Sequence, residues 1–216
     1  MEMVQQQTHV LADGTRVRVR RIQPGDKDRL RAGLAAMSPE SRYRRFLAPI
    51  TELSDAQLRY LTEVDFENHF ALVAEAPDHP GRPEVGVARW VRSQSDPDCA
   101  EAAIAVTDRY QHRGVGKYLL HLLVEAAIEH GVRRFTALVQ AENKPMLTLL
   151  REIGAVTTSS SDGALQLVVE LPARAADLDR SQAPVILRAV ADGRLKAEAA
   201  ADAIRHRVVL KGSRDG

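Results

Sequence analysis

Residues 107–123, TDRYQHRGVGKYLLHLL, constrain the fold more than any other stretch. A β-like run there passes directly into a helical one. Val115, Leu119, Leu122, Leu123 and Ala126 recur at helical spacing, and Gly131 ends the pattern. Upstream, HFALVAEA, EVGVARWVRS and CAEAAIAVTD are β-like runs separated by the breakers DHPGRP and SDPD. The spacing predicts a three-strand antiparallel meander over 70–107 that delivers the chain to one long amphipathic helix. In the second run, alternation puts Val85, Val87 and Arg89 on one face and Gly86, Ala88 and Trp90 on the other.

The flanks extend this α/β pattern. Asp13-Gly14 between β-like runs predicts a hairpin over 8–22, and Asp162-Gly163 a second over 155–171. Residues 26–64 read as helical, with Asp26, Ser38 and Ser54 as N-caps and Pro39 at a first helical position. RRFTALVQ is a strand. ENKPMLTLLREIG is a helix capped by Asn143, with Pro145 in its first turn and Gly154 at its end. After Pro172 a linker-like stretch leads to two Ala-rich helical segments broken at Gly193. These lack aromatic residues, so they are expected to dock on the main domain or on a second copy in a homodimer. The expected organisation is a loose N-terminus over 1–7, one domain over 8–171 and a helical extension over 172–216.

Composition removes several function classes. The 30 Lys and Arg nearly balance the 29 Asp and Glu, so no bulk attraction to nucleic acid or an acidic membrane is expected. RVRVRR, the densest basic run, alternates as the polar face of a strand. The lone Cys99 rules out a disulfide within the chain, fits a reducing cytoplasm and reads as a small strand residue. The seven histidines show no metal-ligand spacing, and no metal is expected. No apolar run approaches the roughly 20 residues of a membrane span, and there is no signal-peptide pattern.

The chemistry lies at the start of the long helix, over Gln111, His112, Arg113, Gly114, Val115, Gly116 and Lys117. A helix N-terminus offers unpaired N–H groups and the positive end of the dipole, and glycines let a ligand approach the backbone. That suits a phosphate, although glycines also open helices for plain packing reasons. The Walker pattern is excluded because Tyr118 follows Lys117. A dinucleotide fold is disfavoured by the antiparallel strands.

The spacing Gln-x-x-Gly-x-Gly between a strand and an amphipathic helix resembles the signature of GNAT N-acetyltransferases. The order hairpin, helices, meander, signature helix, strand, helix, hairpin is similar to that fold over residues 8–171. The resemblance implies a mixed, mostly antiparallel twisted sheet of six or seven strands flanked by helices. It also implies acetyl-CoA as cosubstrate. Amides from His112 to Lys117 would hold its pyrophosphate, backbone groups of Ile104, Ala105 and Val106 its pantetheine amides, and Asn143 the pantetheine or a bridging water. Many members carry a Tyr seven residues after that Asn, hydrogen-bonded to the departing sulfur; here the position is Leu150. Tyr118, just inside the signature helix, reads as packing.

Within the superfamily, SRYRRFL, FENHFALVAE and AEAAIAVTDRYQHRGVG look like the GNAT domain of bacterial protein lysine acetyltransferases, which modify acyl-CoA synthetases. There the domain is often fused to a cyclic-nucleotide-binding or CoA-ligase-like region, for which this chain leaves no room. Glu101 occupies the position of their catalytic Glu. Amine acetylation needs a neutral amine, and Glu101 sits among small apolar residues that raise a carboxyl pKa. Read alone, it also suits a solvated strand end. Arg42, Arg44 and Arg45 lie where the acceptor groove is expected, as a solvated face or as selectors of acidic surroundings. The acceptor is expected to be a protein lysine. The alternatives are a small amine, or no acceptor at all in a non-catalytic acyl-CoA sensor.

Overall fold

The computed structural model describes residues 6–79 and 84–173. Eight strands form one sheet: β1 (Gln6–Val10), β2 (Arg16–Arg21), β3 (His69–Glu75), β4 (Glu84–Arg92), β5 (Cys99–Val106), β6 (Arg134–Gln140), β7 (Val156–Ser161) and β8 (Ala164–Glu170). Their spatial order is β1-β2-β3-β4-β5-β6-β8-β7. All neighbours are antiparallel except β5 and β6. The sheet exceeds the expected six or seven strands because both terminal hairpins join it in full. Five helices flank it: α1 (Lys27–Ala35), α2 (Pro39–Phe46), α3 (Asp55–Thr62), α4 (Val115–Glu129) and α5 (Lys144–Glu152).

Local chemistry accounts for most boundaries. Asp162 and Gly163 both take positive φ, the conformation a two-residue hairpin turn demands. Ser38 and Ser54 each accept a backbone N–H three residues on, and Ser54 forms a reciprocal box with Gln57. Asn143 Oδ1 accepts from Met146 N at 3.3 Å. Asp26 departs from expectation: it stands before α1 but makes no side-chain cap. Its buried carboxylate accepts instead from Arg20 and from Gln23 N. An ion pair with Arg20 outcompetes the cap because it satisfies two buried groups at once. Gln6 and Gln7, expected to be loose, belong to β1, and Gln7 accepts from the Tyr118 hydroxyl. Tyr118 also stacks on His9, which bears out its packing role.

The core lies between the sheet and α4. Leu119, Leu122, Leu123 and Ala126 pack with Phe70, Ala88, Trp90 and Ala102. Burial of each large side chain contributes about 1.5–3 kcal/mol. Helices α1 to α3 cover the other face, where Leu34 and Leu61 approach Val73 and Val87. A bulge corrects the alternation read for β4. Ala74 pairs with Gly86 and Glu75 with Glu84, so Val85 is the extra residue. Val85 joins the α4 core with Ala88 and Trp90, while Val87 and Arg89 face the helices opposite. The expected helices within 172–216 lie outside the described residues, apart from the first two positions of that span.

Candidate active site

The sheet splits beside its parallel pair. Cys99, Ala100 and Glu101 pair with Arg134, Phe135 and Thr136, and the ladder stops there. Beyond it β5 pairs only with β4, from Ala102 to Val106, while β6 continues against β8. The β6-facing edge of Ile104, Ala105 and Val106 is therefore left without a strand partner, an edge that can accept an extended ligand.

That start is shaped as a cradle. His112 (φ 58°) and Gly114 (φ 84°) are both left-handed, so the chain curls before the helix. Gly114 is the N-cap position and has no side-chain cap. The first helical bond runs from Tyr118 N to Gly114 O, which leaves the amides of Val115, Gly116 and Lys117 without intrahelical acceptors. A Cβ on Gly116 would meet only Leu149 Cδ2, at 3.6 Å.

One open groove of about 140 Å³ joins the two features. Of the sequence-predicted residues, Ile104, Ala105, Val106, Gln111, His112, Gly116 and Asn143 line it together. Four do not. The Val115 side chain is in the core. The Arg113 guanidinium turns away to Asp13 at 2.6 Å, Lys117 lies 3.6 Å from Glu152, and Gly114 only shapes the turn. Their backbones alone are placed to serve the groove. The edge, the unsatisfied amides and the room over Gly116 fit an extended chain ending in a pyrophosphate.

A clamp that the sequence did not reveal holds the groove's mouth. Asp108 accepts from Ser38 N, from the Ser41 hydroxyl and from Gln111 Nε2 at 2.9 Å. Gln111 Nε2 also reaches Ser41 Oγ at 3.1 Å and Val106 O at 3.0 Å. Gln111 thus ties the helix start to α2 and to the end of β5. No local pattern joins Ser41 to Gln111 across 70 positions.

Glu101 stands at the last rung before the split. It pairs in register with Val91 and Thr136. Among the described residues no hydrogen bond or ion pair within 4.0 Å reaches its carboxylate. Burial pushes its carboxyl above the ordinary value, and the charge of Arg45 pulls it part of the way back. Of the three α2 arginines, Arg44 pairs with Glu40, whereas burial lowers the Arg45 pKa and Glu101 opposes that. On the neighbouring strand Arg89 is 5% exposed and donates to Leu61 O through both terminal nitrogens at 3.2 Å, closing the end of α3. Burial, then Arg45, brings its pKa down to about 9. Burial, then Arg89, holds His69 at about 4, so its neutral Nε2 accepts from Arg89 at 3.0 Å. Cys99 is buried, as a small strand residue should be.

Residues 40–155 match the Acetyltransferase (GNAT) family. The chain belongs to that family. It is an acetyl-CoA-dependent N-acetyltransferase. Acetyltransferase Pat of Mycolicibacterium smegmatis is 35% identical over 154 residues, covering 71% of this chain and 45% of Pat. The chain therefore spans less than half of Pat's length. Acetyltransferase PA5475 of Pseudomonas aeruginosa is 30% identical over 161 residues, 74% of this chain and 86% of that protein. The crystal structure of the GNAT domain of S. lividans PAT aligns with a TM-score of 0.70 at 33% identity, over 77% of this chain and 97% of that one. No helix of the described residues is long and apolar enough to cross a membrane, and no group of three or more His, Cys, Asp or Glu side chains among them is arranged to hold a metal.

Proposed function

We propose that this GNAT enzyme transfers the acetyl group of acetyl-CoA to a protein lysine side chain, that of an acyl-CoA synthetase first among candidates, with Glu101 as general base. The position of Glu101 carries the reading. It is a part-buried carboxyl with a raised pKa and no hydrogen-bonded partner among the described residues, at the point where the sheet opens. The likeness to Acetyltransferase Pat and the three stretches resembling bacterial protein lysine acetyltransferases support a protein acceptor.

In this reading the groove holds the cosubstrate by backbone. Amides at the start of α4 face the pyrophosphate, the free edge of Ile104, Ala105 and Val106 takes the pantetheine amides, and Asn143 contacts the same arm while capping α5. Lysine in water has a pKa near 10.4, so its ammonium must lose a proton before attack. Glu101 takes that proton, directly or through one water. The amine nitrogen bonds to the thioester carbonyl carbon, and the carbon–sulfur bond breaks. Coenzyme A leaves as thiolate, to be protonated afterwards. Leu150 is 4% exposed within the core, so that position supplies no acid to the sulfur.

Incubation with acetyl-CoA and an acyl-CoA synthetase, followed by peptide mass spectrometry, should find acetyl-lysine on the synthetase. A panel of polyamines, amino acids and aminoglycosides run alongside decides the acceptor class. Turnover confined to a small amine overturns the protein-lysine reading.

A further inference from the structure

A second, smaller cavity of about 70 Å³ lies behind the groove, between the sheet and helices α1 to α3. Met37, Arg45 and Ala105 line both spaces, so these three residues form the partition. The cavity's walls include Leu30, Leu34, Leu53, Leu61, Val73 and Val87. Arg45, stacked over Phe46, and Glu84 also line it. The other polar residues have their heads engaged elsewhere: Arg29 on Glu75, the terminal nitrogens of Arg89 on Leu61 O, and Thr107 on the carbonyls of Glu84 and Val85. What they offer the cavity is largely hydrocarbon stem. The cavity lies beside Ala105, on the strand edge assigned to pantetheine. In the partition, Met37 is an unbranched side chain that changes rotamer at little cost.

We infer that this cavity is an acyl-chain site, accepting unbranched apolar acyl groups of about four to six carbons from acyl-CoA, with Met37 as its movable wall. The inference rests on the groove being the cosubstrate site. An acetyl group is too short to use the space. A longer chain leaving the groove at Ala105 passes from water into a wall of leucine and valine, with up to about a fourfold gain in affinity for each methylene buried.

Calorimetric titration without acceptor tests this, using acetyl-, butyryl-, hexanoyl- and succinyl-CoA. The wild type should bind hexanoyl-CoA at least tenfold tighter than acetyl-CoA. Gly33 lines the cavity but not the groove, and a Cβ there meets only Glu84 carbons, at 3.8 and 3.9 Å. Gly33→Leu should therefore erase the chain-length gain and leave acetyl-CoA binding unchanged. Gly33→Ala should keep most of the gain and serves as the folding control by thermal melt. A gain of equal size in wild type and Gly33→Leu, or none in either, overturns the site. Succinyl-CoA binding tighter than butyryl-CoA overturns its apolar character and points to Arg89 Nε, which is buried without a hydrogen-bond partner. If no acyl-CoA binds at all, the cosubstrate groove itself is refuted and this site with it; acetyl-CoA binding without chain-length dependence refutes the acyl site alone.

Discussion

Glu101→Gln separates a catalytic carboxyl from a structural one. The substitution keeps shape and removes only the charge. It disturbs no hydrogen bond or close ion pair, because the carboxylate has none among the described residues. A positioned general base contributes about 10²–10⁴-fold, which is roughly 3–5 kcal/mol of barrier. In steady-state assays with the acceptor protein, kcat should fall by that factor, while acetyl-CoA affinity by calorimetry stays within twofold. Stability supplies a second readout with a fixed sign. Burial raises the folded-state pKa of Glu101 above its unfolded value. The protonated carboxyl therefore favours the fold, and that contribution is complete below the unfolded pKa and lost as pH rises through the folded one. The substituted amide does not titrate, so the variant's Tm should gain on the wild type's from about pH 4.5 upward. A kcat within threefold of wild type across pH 6–9, with cosubstrate binding intact, would refute Glu101 as base. Parallel loss of kcat and acetyl-CoA affinity would mark it as structural.

The other predictions concern the same groove. Gly116→Glu places a carboxylate over the free amides of α4 and should abolish acetyl-CoA binding by calorimetry, with an unchanged melt because a Cβ there makes only an ordinary contact. Arg45→Leu removes the charge that opposes the burial of Glu101, so the acid limb of kcat/KM against pH should move to higher pH, while Arg45→Lys holds it near wild type; an unmoved limb in Arg45→Leu excludes the coupling. Asp108→Ala deletes the acceptor shared by Ser38, Ser41 and Gln111, and should cost about 1–2 kcal/mol in urea unfolding, since each bond nets about 1 kcal/mol and the site is partly solvated. The loosened helix start should also raise KM for acetyl-CoA several-fold, more than it lowers kcat.

Elements whose cause is local could be read directly from the chain. The Asp-Gly turns, the serine caps of α2 and α3, the Asn143 cap and the apolar stripe of α4 each depend on residues within a few positions of one another, and each appears as the sequence implied. The Gln-x-x-Gly-x-Gly spacing belongs with them, because a helix start is defined by its own backbone. Seven of the twelve site residues named from sequence line one groove, of which Gln111, His112 and Gly116 belong to this helix start, while Ile104, Ala105 and Val106 come from β5 and Asn143 from the cap of α5. What failed was whatever depended on a distant partner. Asp26 reads as a cap until Arg20 is beside it. Val85 obeys alternation until pairing with β3 inserts a bulge. Arg113 and Lys117 look free until Asp13 and Glu152 arrive from other elements. The sequence by itself determined the elements, their order and the helix start, since periodicity and capping act over a few residues. Only the tertiary structure decided where β5 parts from β6, that Glu101 stands at that point, and that Asp108 locks α2 to Gln111, because each is a contact between segments that chain spacing leaves unspecified.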